Sequence, residues 1–131
     1  MPRQLINPPS LHPAPGFSHV AIAEGTRVVC FAGQVALDRE FNIVGGEDLH
    51  AQTKAAMRNL EQALAAAGAG WQDIVRRTIY TLRPTEWETI TEAIEEVSGT
   101  TEHPAQTVVG VTSLALPGLL IEIECTAVLP G

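Results

Sequence analysis

The chain has 131 residues, 45% of them apolar, enough for one globular domain with a core of its own. Eight Lys and Arg against 15 Asp and Glu leave a formal net charge of -7, which repels a phosphate backbone, and no basic cluster is interleaved with aromatic residues as a single-strand platform requires. No apolar run reaches the roughly 20 residues of a membrane span, and the N-terminus lacks a signal-peptide core, so a cytoplasmic protein is expected.

Residues 1–15, crowded with proline and without periodicity, predict an irregular arm ahead of a single domain over 16–131. "FSHVAIA" and "RVVCFAGQVAL", separated by "EGT", read as a β-hairpin, and Asn42 with Gly45 and Gly46 marks the next turn. Leu49, Thr53, Ala56, Leu60, Leu64 and Ala67 then recur at helical spacing. Glu47 and Asp48 lie where the helix dipole favours negative charge, and Gly68 suits a left-handed cap.

"DIVRRTIYTL" returns to strand chemistry, with Ile74, Arg76, Thr78 and Tyr80 expected on one face and Val75, Arg77, Ile79 and Thr81 on the other. Thr85 and Glu88 stand at capping-box spacing before a second amphipathic helix, whose apolar stripe is Trp87, Ile90, Ile94 and Val97. Its Glu86, Glu92, Glu95 and Glu96 read as a solvated face. "TVVGV" and "LLIEIECTAVL", joined by a turn at Pro117 and Gly118, close the chain as strands. This order predicts an α+β fold: a mixed β-sheet with two helices on one face. Its other face, carrying Val28, Cys30 and Ala32, needs cover from another copy, which implies an oligomer.

Few residues could carry chemistry. Glu122 and Glu124 fall on one side of the last strand, opposite Ile121, Ile123 and Cys125, and carboxylates in an apolar strand must reach water, a cation or an interface. His19 lies in the first strand. His12, His50 and His103 have no partner at ligand spacing, so no metal is expected, and no glycine loop calls for a cofactor. Cys30 and Cys125 read as small buried hydrophobes. In "HPAQTVVGV" one amide, Gln106, precedes an apolar run, where it either faces a ligand or pairs with backbone at the strand start.

The strings "GFSHV", "FAGQVALD", "VGGEDLHAQTKAAMRNLEQALAAAGAGWQDIV", "HPAQTVVGV" and "LIEIECTAVL" resemble the Rid family, also called YjgF or L-PSP, in order and spacing from about Gly16 to Leu129. The resemblance implies a chorismate-mutase-like fold closed into a homotrimer, with a small-molecule cleft between each pair of subunits. It also implies hydrolysis of reactive enamines and imines, such as 2-aminoacrylate, to ammonia and a 2-keto acid. In those deaminases an arginine begins the strand here written "PAQTVV" and pairs with the substrate carboxylate; this chain has Gln106, which offers hydrogen bonds without charge. Phe17 stands for a usual tyrosine, Ala32 for a frequent serine before Gly33 and Gln34, Val108 for a frequent cysteine, and Thr91 near a common asparagine. Glu122 matches the family glutamate assigned to water activation. The expectation is therefore an Arg-less Rid protein with Glu122 as catalytic base and Gln106, Phe17, His19, Ala32, Gly33, Thr91 and Val108 around the ligand. It would hydrolyse or tautomerise an imine, enamine or enol. Its alternatives are a binding trimer without turnover and an endoribonuclease, the latter disfavoured by the charge. Whether Arg76, Arg77 or Arg83 of a neighbouring subunit replaces the missing guanidinium is open at this level.

Overall fold

The computed structural model describes residues 3–131; positions 1 and 2 of the expected arm lie outside the described residues. The elements are β1 (Gln4–Ile6), β2 (Val20–Ile22), β3 (Arg27–Val35), α1 (Leu49–Ala66), β4 (Ile74–Thr81), α2 (Trp87–Ser98), β5 (Ala105–Gly110) and β6 (Ile121–Leu129). Four strands form the main sheet in the order β3-β6-β4-β5, with β5 parallel to β4 and the other neighbours antiparallel. A parallel neighbour needs a crossover, and α2 supplies it. Helix α1 packs on α2, β3 and β6, which gives two layers, helices on sheet.

Strand β6 is the spine of the sheet because its pattern alternates strictly: Ile121, Ile123, Cys125, Ala127 and Leu129 are buried, and the residues between them are half exposed. Met57, Leu60 and Leu64 of α1 and Ile90 and Ile94 of α2 cover those side chains. Burying each such side chain contributes about 1.5–3 kcal/mol. Asp48, expected only to favour the helix dipole, caps α1 by accepting from the Ala51 N–H at 3.0 Å, and Gly68 takes φ +73° just past its end, as the sequence predicts.

Several expectations need correction. The arm is not wholly irregular: β1 pairs antiparallel with β2 as a separate two-stranded sheet, and the expected hairpin of β2 with β3 does not form. Strand β3 instead pairs antiparallel with β6, from Arg27 opposite Leu129 to Val35 opposite Glu122. Arg3 fastens the arm by donating to the carbonyls of Trp71 at 2.8 Å, Ile74 at 2.7 Å and Glu102 at 3.2 Å. Ile74 joins Arg77, Ile79 and Thr81 on the buried face, because the β4–β6 register shifts between Ile74 and Arg76 and flips the side chains upstream. The expected capping box at Thr85 and Glu88 is absent. A short 3-10 turn over Pro84–Glu86 leads into α2, and no side chain caps it. Cys30 is exposed, whereas Cys125 is buried and its thiol is pushed up to about 12 by that burial.

Candidate functional site

The parallel ladder sets Gln106 of β5 directly beside Arg77 of β4. Both lie on the helix side of the sheet, where Gln106 joins Phe17, Thr91, Val108, Trp87 and His12 around a cavity of about 470 Å³. The loop that brings Phe17 there presses on α2. Gly16 has φ +77°, and a Cβ on it would collide with the Thr91 side chain, so only glycine fits. The walls are otherwise apolar, with Pro13, Pro15, Ile79 and Ile90.

Behind Gln106 runs a buried polar chain. The Arg77 Nε–H donates to Gln106 Oε1, and an Nη2–H group reaches the Gly16 carbonyl at 3.2 Å and His103 Nδ1 at 3.0 Å. His103 Nε2 lies 2.6 Å from Glu95 Oε2. Because arginine offers only donors, His103 Nδ1 must accept, so its proton sits on Nε2 and is donated to Glu95. Arg77 is 4% exposed, and burial, reinforced by the charge of Arg3, pushes its guanidinium down to about 9, still protonated at neutral pH. Burial lowers the pKa of His103 as well, outweighing its hydrogen bond to Glu95, which favours the neutral ring that Arg77 requires.

Glu122 lies elsewhere. It faces the open side of the sheet, opposite Tyr80 in one ladder and Val35 in the other. Its carboxylate rests over Gly33, where any Cβ would strike it, and the register of β3 against β6 shifts between Phe31 and Gln34 around that point. Next to it Tyr80 donates its hydroxyl to Glu124, a bond that raises the phenol's pKa. Ala32 is exposed on β3 beside Gly33. Thus Phe17, Thr91, Gln106 and Val108 converge within one chain, while Ala32, Gly33 and Glu122 gather toward the opposite edge of the sheet. His19 packs edge-on to Phe17, with ring centroids 5.2 Å apart, and its Nε2 meets the His12 carbonyl at 2.8 Å.

Of the three arginines considered as replacements, Arg77 reaches Gln106 from within the same chain. Arg76 donates to Thr107 Oγ1 at 2.8 Å, and Arg83 lies 3.9 Å from Glu86. The acidic face of α2 is more than solvation, since Glu95 holds His103 and Glu96 holds His50. His50, Glu92 and Glu96 also form a trio of potential metal-ligating side chains, invisible as a motif because it draws on two helices. Its imidazole already bonds Glu96 and ties α1 to α2.

The model of the family described as endoribonuclease L-PSP matches residues 8–129. The chain belongs to this family, the Rid/YjgF proteins. A RutC family protein of Synechocystis sp. is 32% identical over 76% of each chain. Among solved structures, the Rid protein YyfB of Yersinia pestis, itself described as of unknown function, superimposes with a TM-score of 0.90 at 40% identity, covering 98% of this chain and 100% of that one. A YjgF-family member of Mycobacterium tuberculosis gives 0.65 at 31% identity, covering 97% and 99%. The Rid fold of two helices on a mixed sheet is therefore the fold of this chain. No helix of the described residues is long and apolar enough to cross a membrane.

Proposed function

We propose that this Rid-family protein takes a small, largely apolar metabolite into the cavity at Gln106 and hydrolyses or tautomerises an imine, enamine or enol there, with Glu122 as general base. The observation that carries this reading is the convergence of Phe17, Thr91, Gln106 and Val108, four positions singled out from the sequence, on one cavity of about 470 Å³. Gln106 lies on edge strand β5, and Glu122 lies next to edge strand β3, so one chain cannot bring them together. A neighbouring copy in a homotrimer, setting its β3 edge against this β5, would complete the site between subunits. The exposed Val28 and Cys30 on the open sheet face support such packing.

In the hydrolytic case Glu122 takes a proton from water as the oxygen bonds to the C=N carbon and the π pair moves to nitrogen, to which Glu122 returns the proton. The resulting carbinolamine then passes its hydroxyl proton to nitrogen as the C–N bond breaks, leaving a carbonyl and ammonia. The test is ammonia release from freshly generated 2-aminoacrylate and from neutral enamines, with Glu122→Gln and Gln106→Arg variants alongside. Wild-type turnover of a neutral substrate that Glu122→Gln abolishes, with the fold intact, upholds the reading. Turnover unchanged by that variant removes Glu122 from the mechanism.

A second reading, a metabolite-binding trimer without turnover, is favoured by the cavity lining, which among the described residues includes no carboxylate. Undiminished ligand binding by Glu122→Gln, with no substrate turned over by the wild type, would decide for it. Cleavage of RNA, the activity in the family model's description, suits a chain of net charge -7 poorly.

A further inference from the structure

Resting on the reading of this cavity as the ligand site, we infer that Arg77 acts as a positioning residue. It locks the Gln106 amide so that the cavity is offered an N–H donor, and the ligand group held there is an uncharged carbonyl oxygen.

An amide side chain can turn either end to a ligand, so a glutamine in a pocket does not by itself choose between donors and acceptors. Here the choice is made from behind. A guanidinium has no acceptor, so the Gln106 oxygen must face the Arg77 Nε–H, and the NH2 group is left to the other side. Within the described residues that nitrogen has no protein partner, and it is not among buried unsatisfied atoms, since there are none. Gln106 lines the cavity, and with its oxygen turned to Arg77 the NH2 end is the one left to face it. The lock is held in turn: the Arg77 fork is fixed by the Gly16 carbonyl and by His103, and His103 by Glu95.

The same geometry decides the charge. Arg77 is buried and its assigned hydrogen bonds run to Gln106, Gly16 and His103, so the cavity meets its charge only through the amide. Glu95 lies beyond His103 and offsets that charge further. A carboxylate drawn between Ile90, Val108 and Phe17 would lose its water and regain one neutral donor, which does not compensate for the desolvation of an ion. A carbonyl oxygen needs only that donor. A cationic or donor group meets N–H against N–H and is rejected.

The experiment uses isovaleramide, isovalerate and isopentylamine, three probes that share a carbon skeleton and differ in the group presented. Their binding to the full-length protein is followed by the side-chain NH2 signals of Gln106 in proton–nitrogen correlation spectra. Isovaleramide should bind at least ten-fold more tightly than either of the others and shift those signals. Gln106→Glu, of the same shape but acceptor only, should lose the amide and favour the amine. Arg77→Met should keep the amide bound while its preference over the amine collapses, and Arg77→Lys should restore part of it, which a merely structural arginine would not. Should Arg77→Met fail to fold, the wild-type ranking and Gln106→Glu still decide. Isovalerate binding as tightly as isovaleramide, or an unchanged ranking in Gln106→Glu, overturns the inference while leaving the cavity as the ligand site. Binding of none of the three overturns both.

Discussion

On the helix side of the sheet, Arg77 is 4% exposed and finds three partners in its own chain, whereas on the other side Val28 of the same sheet is 69% exposed. The polar groups differ in the same way. Gln106, Arg77, His103 and Glu95 form one connected chain, while Glu122 lies over a glycine and Glu124, among the described residues, takes only the Tyr80 hydroxyl. The polar chain on the covered side is complete within one molecule, so the orientation of Gln106 is fixed by folding. The open side has its groups in place but lacks a wall, so its chemistry depends on assembly.

The contrast can be broken by substitution. The largest effect belongs to the covered core: Leu60→Ala, at a fully buried position, should cost about 2–5 kcal/mol in denaturant unfolding, since the hole cannot collapse onto the sheet. Arg77→Met comes next. It leaves Gln106 Oε1 and His103 Nδ1 without their donor, and a loss of about 1–3 kcal/mol is expected from the same measurement. A loss under 0.5 kcal/mol would show that the buried chain contributes nothing net.

A smaller and pH-dependent effect comes from His103. Its folded pKa is depressed, so the unfolded chain binds the proton first. The contribution of the neutral ring is complete above the ordinary histidine range and is lost as pH falls through that range toward the folded pKa. Unfolding curves between pH 8 and pH 5 should show the wild type losing more stability on acidification than His103→Asn. Equal slopes would exclude this ring as their source.

The smallest effect on the fold should come from Val28→Ser, within about 0.5 kcal/mol for the single chain because the side chain is already in water. If the open face is an interface, this variant should nonetheless shift the sedimentation profile toward monomer. An unchanged assembly would mean that copies meet elsewhere.

The sequence made the layers legible because alternation in β6 and helical spacing in α1 are local signals that burial then obeys. It misplaced β2 because a short link between two apolar runs is the usual mark of a hairpin, and the competing partner β1 is only three residues long. It misplaced Ile74 because a bulge inverts facing without a sequence mark of its own. The cavity residues were found through the family strings. The Arg77 network was not, since it joins β4, β5 and the segment before it, whose meeting depends on the parallel register. The guanidinium missing at position 106 reappears one strand away, turned inward instead of toward a ligand.

The three carbonyls that hold Arg3 bear on the order of events during folding. They come from residues 68, 71 and 99 positions further along the chain, so this clasp is among the most distant in sequence that the domain makes. Distant contacts bear the full entropy of loop closure and form once the intervening chain is ordered. The arm therefore docks on residues made well after it, and until residue 102 has left the ribosome it has no complete site to close upon.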